Sequence, residues 1–220
     1  MITLPTNSLV YRLSRAARLI IFAAAGVCLS LMIGGIFDMT TPARAETVRI
    51  SPVFSAGGAA RVGGRFALTN HLGERVSSDD FRGKKMLVYF GYTFCPDICA
   101  GELQKIADAL DRLGNGSAKL QPIFITLDPE RDTVKVLADY VSHFHRNMIG
   151  LTGTPEEIQY AAKAYRVLYQ RSGSISDTDY LIGHSSNVFL MDENGEYAAH
   201  FPYGSTVEEM VAVITRHLAN

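Results

Sequence analysis

The sequence has few cysteines and almost no net charge. Of its 220 residues only three are cysteines, and 21 lysines and arginines against 22 aspartates and glutamates leave a formal charge of -1. No basic stretch is interleaved with aromatic residues, so the composition indicates no nucleic-acid binding. An apolar content of 47% argues against intrinsic disorder. The length fits one domain of ordinary size with an appendage.

The appendage lies at the N-terminus. Three arginines precede Leu19–Phe37, a run without a charge that is long enough to cross a bilayer as a helix. Arginines on this side favour a cytoplasmic N-terminus and a domain outside the cytoplasm. We therefore interpret residues 1–45 as an inner-membrane anchor with the domain on the periplasmic side. The alternative is a signal segment cleaved at an A-x-A site formed by Ala43 and Ala45, which would leave a periplasmic protein.

A tether and one folded domain follow. Residues 46–64 show no sustained period, and as a flexible chain of about 20 residues they would span roughly 25 Å. Residues 65–220 alternate between apolar runs and amphipathic segments, which predicts an α/β domain with a thioredoxin-like fold. Its central mixed sheet is expected to be mainly parallel, with flanking helices and a final antiparallel pair. The predicted strands are "RFALTN", "ERVSS", "KMLVYF", "LQPIFITL", "MIGL", "SNVFLM" and "EYAAHF".

The predicted helices have recognisable starts. One begins at Pro96 directly after Cys95, and another is expected within "DTVKVLADYVSHF". Two more begin with capping boxes, and a polar loop is predicted from Gln170 to Tyr180. The capping pairs are Thr154 with Glu157 and Ser205 with Glu208.

Two cysteines lie four residues apart in "GYTFCPDICAGEL". Cys95 is predicted at the N-terminus of a helix, where free amides stabilise a thiolate, and Cys99 one turn further on the same face. This spacing permits either a disulfide or a shared soft metal ion. A structural disulfide is the weaker interpretation, because so short a loop loses little entropy on closure. The third cysteine, Cys28, lies in the apolar run and is interpreted as a small hydrophobic residue.

A third ligand is expected from His184. It precedes a buried strand in "LIGHSSNVFL", where the thioredoxin-like fold brings a loop against the cysteine loop. That loop usually presents a cis-proline, and here it offers Gly183 and His184 instead. Two thiolates and one imidazole suit trigonal copper, whereas zinc would need a water as fourth ligand. The other histidines are interpreted as surface or structural residues: His71, His143, His145, His200 and His217.

The segment "DPERD", Asp128–Asp132, does not fit a calcium loop. An EF-hand starting at Asp128 would need glycine at its sixth position and glutamate at its twelfth, where Thr133 and Asp139 stand. We interpret the segment as a polar turn that caps the following helix, with a partner-facing loop as the alternative.

Four blocks together resemble the Sco/SenC family over about residues 60–219. They are "YFGYTFCPDICAGEL", "ITLDPERDT", "GLTGTPEEI" with "AYRV", and "GHSSNVFLMDENG". The resemblance implies a thioredoxin-fold copper protein that helps assemble the binuclear copper centre of cytochrome c oxidase. By motif, it also implies Cys95, Cys99 and His184 as ligands of Cu(I) or Cu(II). The implied partners are the copper-centre subunit of the oxidase and a second protein that donates copper.

The chain departs from the family pattern at two positions. Ala100 stands where many members have proline, and Gly183 where some have aspartate, which could remove a hydrogen bond that orients His184. Two other functions stay open. One is a membrane-tethered thiol-disulfide oxidoreductase that uses Cys95 and Cys99 as its redox pair, and the other is a copper or redox sensor.

Overall fold

Two apolar runs form the centre of the domain. The computed structural model describes residues 61–96, 98–173 and 180–219. Strands β3 (Lys85–Gly91) and β4 (Leu120–Thr126) pair in parallel along their whole length. All of β4 is buried, as expected for a parallel strand with both faces covered.

Five further strands extend this pair into a seven-stranded mixed sheet. Its strand order is β2-β1-β5-β4-β3-β8-β9. The expectation of a mainly parallel sheet is wrong, because only β3–β4 and β4–β5 are parallel, whereas the two edges are antiparallel. The mixed sheet and the predicted final antiparallel pair are confirmed. The added strands are β1 (Ala67–Asn70), β2 (Arg75–Ser77), β5 (Ile149–Thr152), β8 (Val188–Met191) and β9 (Tyr197–Phe201).

A second, two-stranded sheet replaces part of the predicted polar loop. Strands β6 (Tyr169–Ser172) and β7 (Leu181–His184) pair antiparallel, with Tyr169 opposite His184. The side chains of β6 are largely exposed, so its sequence shows no apolar alternation that would have identified a strand. Residues 174–179, between these strands, lie outside the described residues.

Helix starts agree with the sequence at one capping box and differ at another. In α3, the Thr154 hydroxyl accepts from the Glu157 amide at 3.2 Å, and the Glu157 carboxylate accepts from the Thr154 amide at 2.9 Å. The cap of α4 is Thr206 and not Ser205, because the Ser205 amide donates to the Pro202 carbonyl and completes the preceding turn. The helices are α1 (Ile98–Leu113), α2 (Val134–Ser142), α3 (Pro155–Ala164) and α4 (Val207–Leu218).

The predicted anchor precedes the residues that the structure describes. Residues 1–45, the tether up to residue 60 and Cys28 lie outside the described residues. Within the described ranges, no helix combines the length and apolar character needed to cross a membrane.

Candidate metal centre

Cys95 and Cys99 lie on two sides of a loop-to-helix junction. The Cys95 amide donates to the Tyr92 carbonyl at 3.2 Å, so Cys95 belongs to a turn that precedes α1. Helix α1 begins at Ile98, and the predicted start at Pro96, with both cysteines on one helical face, is wrong. Cys99 is fully buried in the first turn of α1, whereas Cys95 is half-buried. No disulfide joins these two residues.

A glycine on β3 makes room for the inner thiol. A Cβ atom added at Gly91 would lie 2.8 Å from the Cys99 Sγ, closer than real Cβ contacts come. It would also lie 3.0 Å from the Phe124 ring and 3.1 Å from the Tyr89 ring. The Cys99 thiol therefore packs directly against the backbone at the end of β3.

His184 ends β7 with its imidazole facing the cysteines. Its Nε2 lies 3.4 Å from the Cys99 Sγ, while its Nδ1 lies 3.2 Å from the Ser185 carbonyl oxygen. If Nδ1–H donates to that carbonyl, the Nε2 lone pair is left for a metal. The rings of Tyr89 and Tyr92 meet the imidazole edge-on, each with its centroid 6.2 Å away. The described residues contain no cis peptide bond.

Three ligand atoms converge at this place. One atom from each of Cys95, Cys99 and His184 lies within 4.8 Å of the other two. Among the described residues, no other group of three or more histidines, cysteines and acidic residues could hold a metal ion. Two sulfurs and one imidazole nitrogen form a donor set suited to a soft ion such as Cu(I).

Burial keeps the inner ligands neutral without a metal. It raises the pKa of the Cys99 thiol to about 12, and the neighbouring Cys95 adds to this shift. Burial also lowers the pKa of His184 below 6.5. At neutral pH the imidazole is thus unprotonated and ready to bind, whereas Cys99 must lose a proton to become a thiolate ligand.

If Cys99 is a thiolate ligand, the affinity for Cu(I) should rise with pH. Binding of Cu(I) would then release the Cys99 proton at any pH below about 12. Loss of this proton alone makes the affinity rise by about tenfold per pH unit between about pH 7 and pH 9. His184 is already neutral in this range and adds nothing to the slope. Competition with a chelator of known protonation constants measures this pH dependence of the affinity. A pH-independent affinity would contradict Cys99 as a ligand.

Gly183 leaves space for a side chain beside the site. A Cβ added there would meet only the Gln170 carbonyl oxygen, at 3.9 Å. The Ser185 carbonyl oxygen, next to His184 in the chain, already lies beside its Nδ1. The departure from the family pattern at Gly183 therefore leaves His184 with a backbone partner that can orient its ring.

The remaining histidines lie apart from the three ligands. His71 Nδ1 accepts from the Gly150 amide at 3.1 Å, and His200 Nδ1 lies 2.6 Å from the Tyr197 hydroxyl. Neither His143 nor His145 is in a helix, since α2 ends at Ser142 and His143 is its C-cap. His217 lies in the last turn of α4.

The "DPERD" segment is more buried than its composition suggests. Asp128 is 1% exposed and Asp132 is 0% exposed. The segment does form the predicted turn, with the Arg131 and Asp132 amides donating to the Asp128 carbonyl, but the prediction that it caps the following helix is wrong. The cap of α2 is Thr133, whose hydroxyl accepts from the Val136 amide. The role of both carboxylates is not visible in the local sequence, because Tyr180 and Thr93, which bind them, lie 52 and 39 positions away in the chain. The sequence signal for this role was that the segment follows β4, the neighbour of the strand that leads into the cysteine loop.

The fold and the site define a class of protein: a thioredoxin-like domain in which two cysteines and a histidine form a candidate metal site. The chain belongs to the SCO1/SenC family, whose pattern it matches over residues 55–219. It is 40% identical over 159 residues to the human "Protein SCO1 homolog, mitochondrial", covering 71% of this chain and 53% of that protein. The chain thus matches about half the length of this relative.

Two solved structures are similar over the same domain. Arabidopsis thaliana ScoI with copper bound is 39% identical, with a TM-score of 0.68, covering 72% of this chain and 98% of that one. Bradyrhizobium japonicum ScoI with copper bound is 37% identical, with a TM-score of 0.65, covering 71% and 99%. The predicted thioredoxin-like fold and the family are confirmed.

Proposed function

We propose that this protein carries copper as a cargo, bound through Cys95, Cys99 and His184. The observation that supports this most directly is the convergence of their three ligand atoms within 4.8 Å. The donor set suits Cu(I), and the copper-bound structures of similar proteins favour the same metal. The protein acts as a metallochaperone, so no covalent bond in a substrate needs to change.

The proposed recipient is the copper-centre subunit of cytochrome c oxidase, where the metal would enter the binuclear copper centre. Membership of the SCO1/SenC family supports this proposal, and a second protein would supply the copper. We further propose that residues 1–45 attach the protein to a membrane, that residues 46–64 form a tether, and that residues 65–220 act outside the cytoplasm. A tether of about 20 residues would let the domain reach a partner in the same membrane.

Replacing His184 by alanine should weaken Cu(I) binding at least about tenfold, or about 1.4 kcal/mol, because one of three ligands is lost. The measurement is competition with a chromophoric chelator under anaerobic conditions. The full-length chain would carry Cys28→Ala, so that Cys95 and Cys99 are its only thiols. His200→Ala is the matched control, since His200 is exposed and contacts the Tyr197 hydroxyl. Equal affinities in the His184 and His200 variants would exclude His184 as a ligand.

The unequal exposure of the thiols supports a second candidate function, reduction of a partner's disulfide. The half-buried Cys95 would attack one sulfur of the partner's disulfide and form a mixed disulfide. The buried Cys99 would then attack the Cys95 sulfur and release the partner's sulfur as a thiol. Two electrons and two protons pass to the partner, and a Cys95–Cys99 disulfide remains. His184→Ala separates the two functions, because disulfide exchange does not need the imidazole as a metal ligand.

A further inference from the structure

The element that carries His184 is not part of the main sheet. Strands β6 and β7 pair only with each other in the described residues, and no ladder joins them to the seven-stranded sheet. A cavity of about 170 Å³ lies beside this hairpin, lined in part by Leu127, Pro129, Ile158 and Ile182. Pairing within the main sheet therefore does not by itself fix the distance from His184 to the cysteines.

Tyr180, the residue before β7, makes a polar contact between the hairpin and residues 128–132. Its hydroxyl donates to the Asp128 carboxylate at 2.5 Å. Its ring is stacked between two guanidinium groups, with the Arg131 carbon 3.6 Å and the Arg171 carbon 3.8 Å from the ring centroid. Arg171, on β6, also binds Glu130 at 2.7 Å. Strand β6 and the residue that precedes β7 are thus both attached to residues 128–131.

The same segment holds the cysteine loop at its other end. The Asp132 carboxylate accepts from the Thr93 amide at 3.0 Å and from the Thr93 hydroxyl at 2.5 Å. It also accepts from the Thr126 hydroxyl at 2.6 Å, which fixes it to the end of β4. Thr93 is two residues before Cys95. Residues 128–132, here called the bracket, therefore contact both parts of the chain that supply metal ligands.

We propose that Asp128 and Asp132 are positioning residues of the copper site, and that the bracket sets the separation between His184 and the cysteine pair. This inference rests on the proposed copper function. Burying two carboxylates contributes little to stability compared with a well-packed apolar core, even when both are fully hydrogen-bonded. What they provide instead is a fixed geometry, since each accepts short hydrogen bonds from one ligand-bearing segment.

Two conservative substitutions test the two ends of the bracket. Tyr180→Phe removes the hydroxyl that binds Asp128 and keeps the stacked ring, while Thr93→Val removes the hydroxyl that binds Asp132. Each should lower the Cu(I) affinity of the full-length Cys28→Ala chain about tenfold, as expected for a partner outside the ligand set. Tyr197→Phe is the matched control, because its hydroxyl contacts His200 and not the bracket.

Asp132→Ala and Asp132→Asn separate positioning from bulk stability. The alanine variant loses all three hydrogen bonds of the carboxylate and should bind Cu(I) at least as weakly as Thr93→Val. In the asparagine variant, the amide oxygen can accept from the Thr93 amide and the Thr126 hydroxyl, and its NH₂ group can donate to the Thr93 hydroxyl. It should therefore restore near wild-type affinity.

A copper-independent measurement distinguishes failure of this inference from failure of the proposed function. Proton NMR of the metal-free chain would record the contacts of the His184 ring with the rings of Tyr89 and Tyr92. We expect these contacts to weaken in Tyr180→Phe and to persist in Tyr197→Phe. Unchanged ring contacts and unchanged affinity in the folded Tyr180 and Thr93 variants would overturn the inference. A wild-type chain that binds no Cu(I) would exclude the copper function. In that case the ring contacts alone would show whether the bracket positions His184.

Discussion

Replacing Cys99 by alanine should lower the Cu(I) affinity by at least about a thousandfold, or about 4 kcal/mol. Cys99 is the buried member of the pair and lies within reach of both other ligands. Loss of a partner outside the ligand set typically costs 10- to 100-fold in metal affinity, and loss of a thiolate ligand should cost more. The remaining Cys95 and His184 would form a two-ligand site that is open to solvent. Anaerobic chelator competition measures the change.

The control for this substitution is Cys28→Ala. Cys28 lies outside the part of the chain that matches the SCO1/SenC family, so its removal should leave the affinity unchanged. Thermal or urea unfolding would show that the Cys99 variant remains folded, since alanine fills most of the volume of the thiol. Retention of tight Cu(I) binding by a folded Cys99→Ala chain is incompatible with the proposed site.

Replacing Gly91 by alanine should destabilise the domain by about 1–3 kcal/mol, the usual cost of overpacking a core. The new methyl group would lie 2.8 Å from the Cys99 Sγ and 3.0 Å from the Phe124 ring. Neither neighbour can move without disturbing β3, β4 or α1. Because the thiol itself must shift, the Cu(I) affinity should fall together with the stability. The midpoint of urea unfolding and chelator competition measure the two effects.

Gly101→Ala is the matched control for the same one-carbon change. Gly101 lies in α1, and a Cβ atom added there meets nothing within 4 Å. Alanine is favoured over glycine in a helix, so this variant should be more stable by up to about 1 kcal/mol with unchanged copper binding. If Gly91→Ala behaved like Gly101→Ala, the close approach of the thiol to β3 would be disproved.

Local patterns predicted much of the fold. The continuous apolar runs of β3 and β4 identified buried strands, and the capping pair of Thr154 and Glu157 identified the start of α3. These signals depend on residues close in the chain. The strand β6 was missed because its exposed polar side chains follow no apolar period. Ser205 was taken for a cap because it, too, precedes a glutamate by three residues, and only the turn with Pro202 distinguishes it from Thr206.

The sequence predicted the three ligand residues of the candidate site but not the contacts that position them. Cys95, Cys99 and His184 were identified from the cysteine spacing, the position of the histidine in the fold and the family resemblance, and the structure brings them together. The sequence could not show that the turn at Tyr92–Cys95 delays the start of α1. Nor could it show that Asp128 reaches Tyr180, a contact across 52 positions of the chain.

The different burial of the two thiols also has a consequence for the kinetics of copper exchange. An acceptor thiolate approaching from solvent meets the half-buried Cys95 before the fully buried Cys99. The Cys95–copper bond would then be the first to exchange and the Cys99–copper bond the last to break. Affinity would depend on all three ligands together, whereas the rate of release would depend on access to one of them. Such a site can hold its metal tightly at equilibrium and still pass it quickly to an acceptor that supplies its own thiolates in turn.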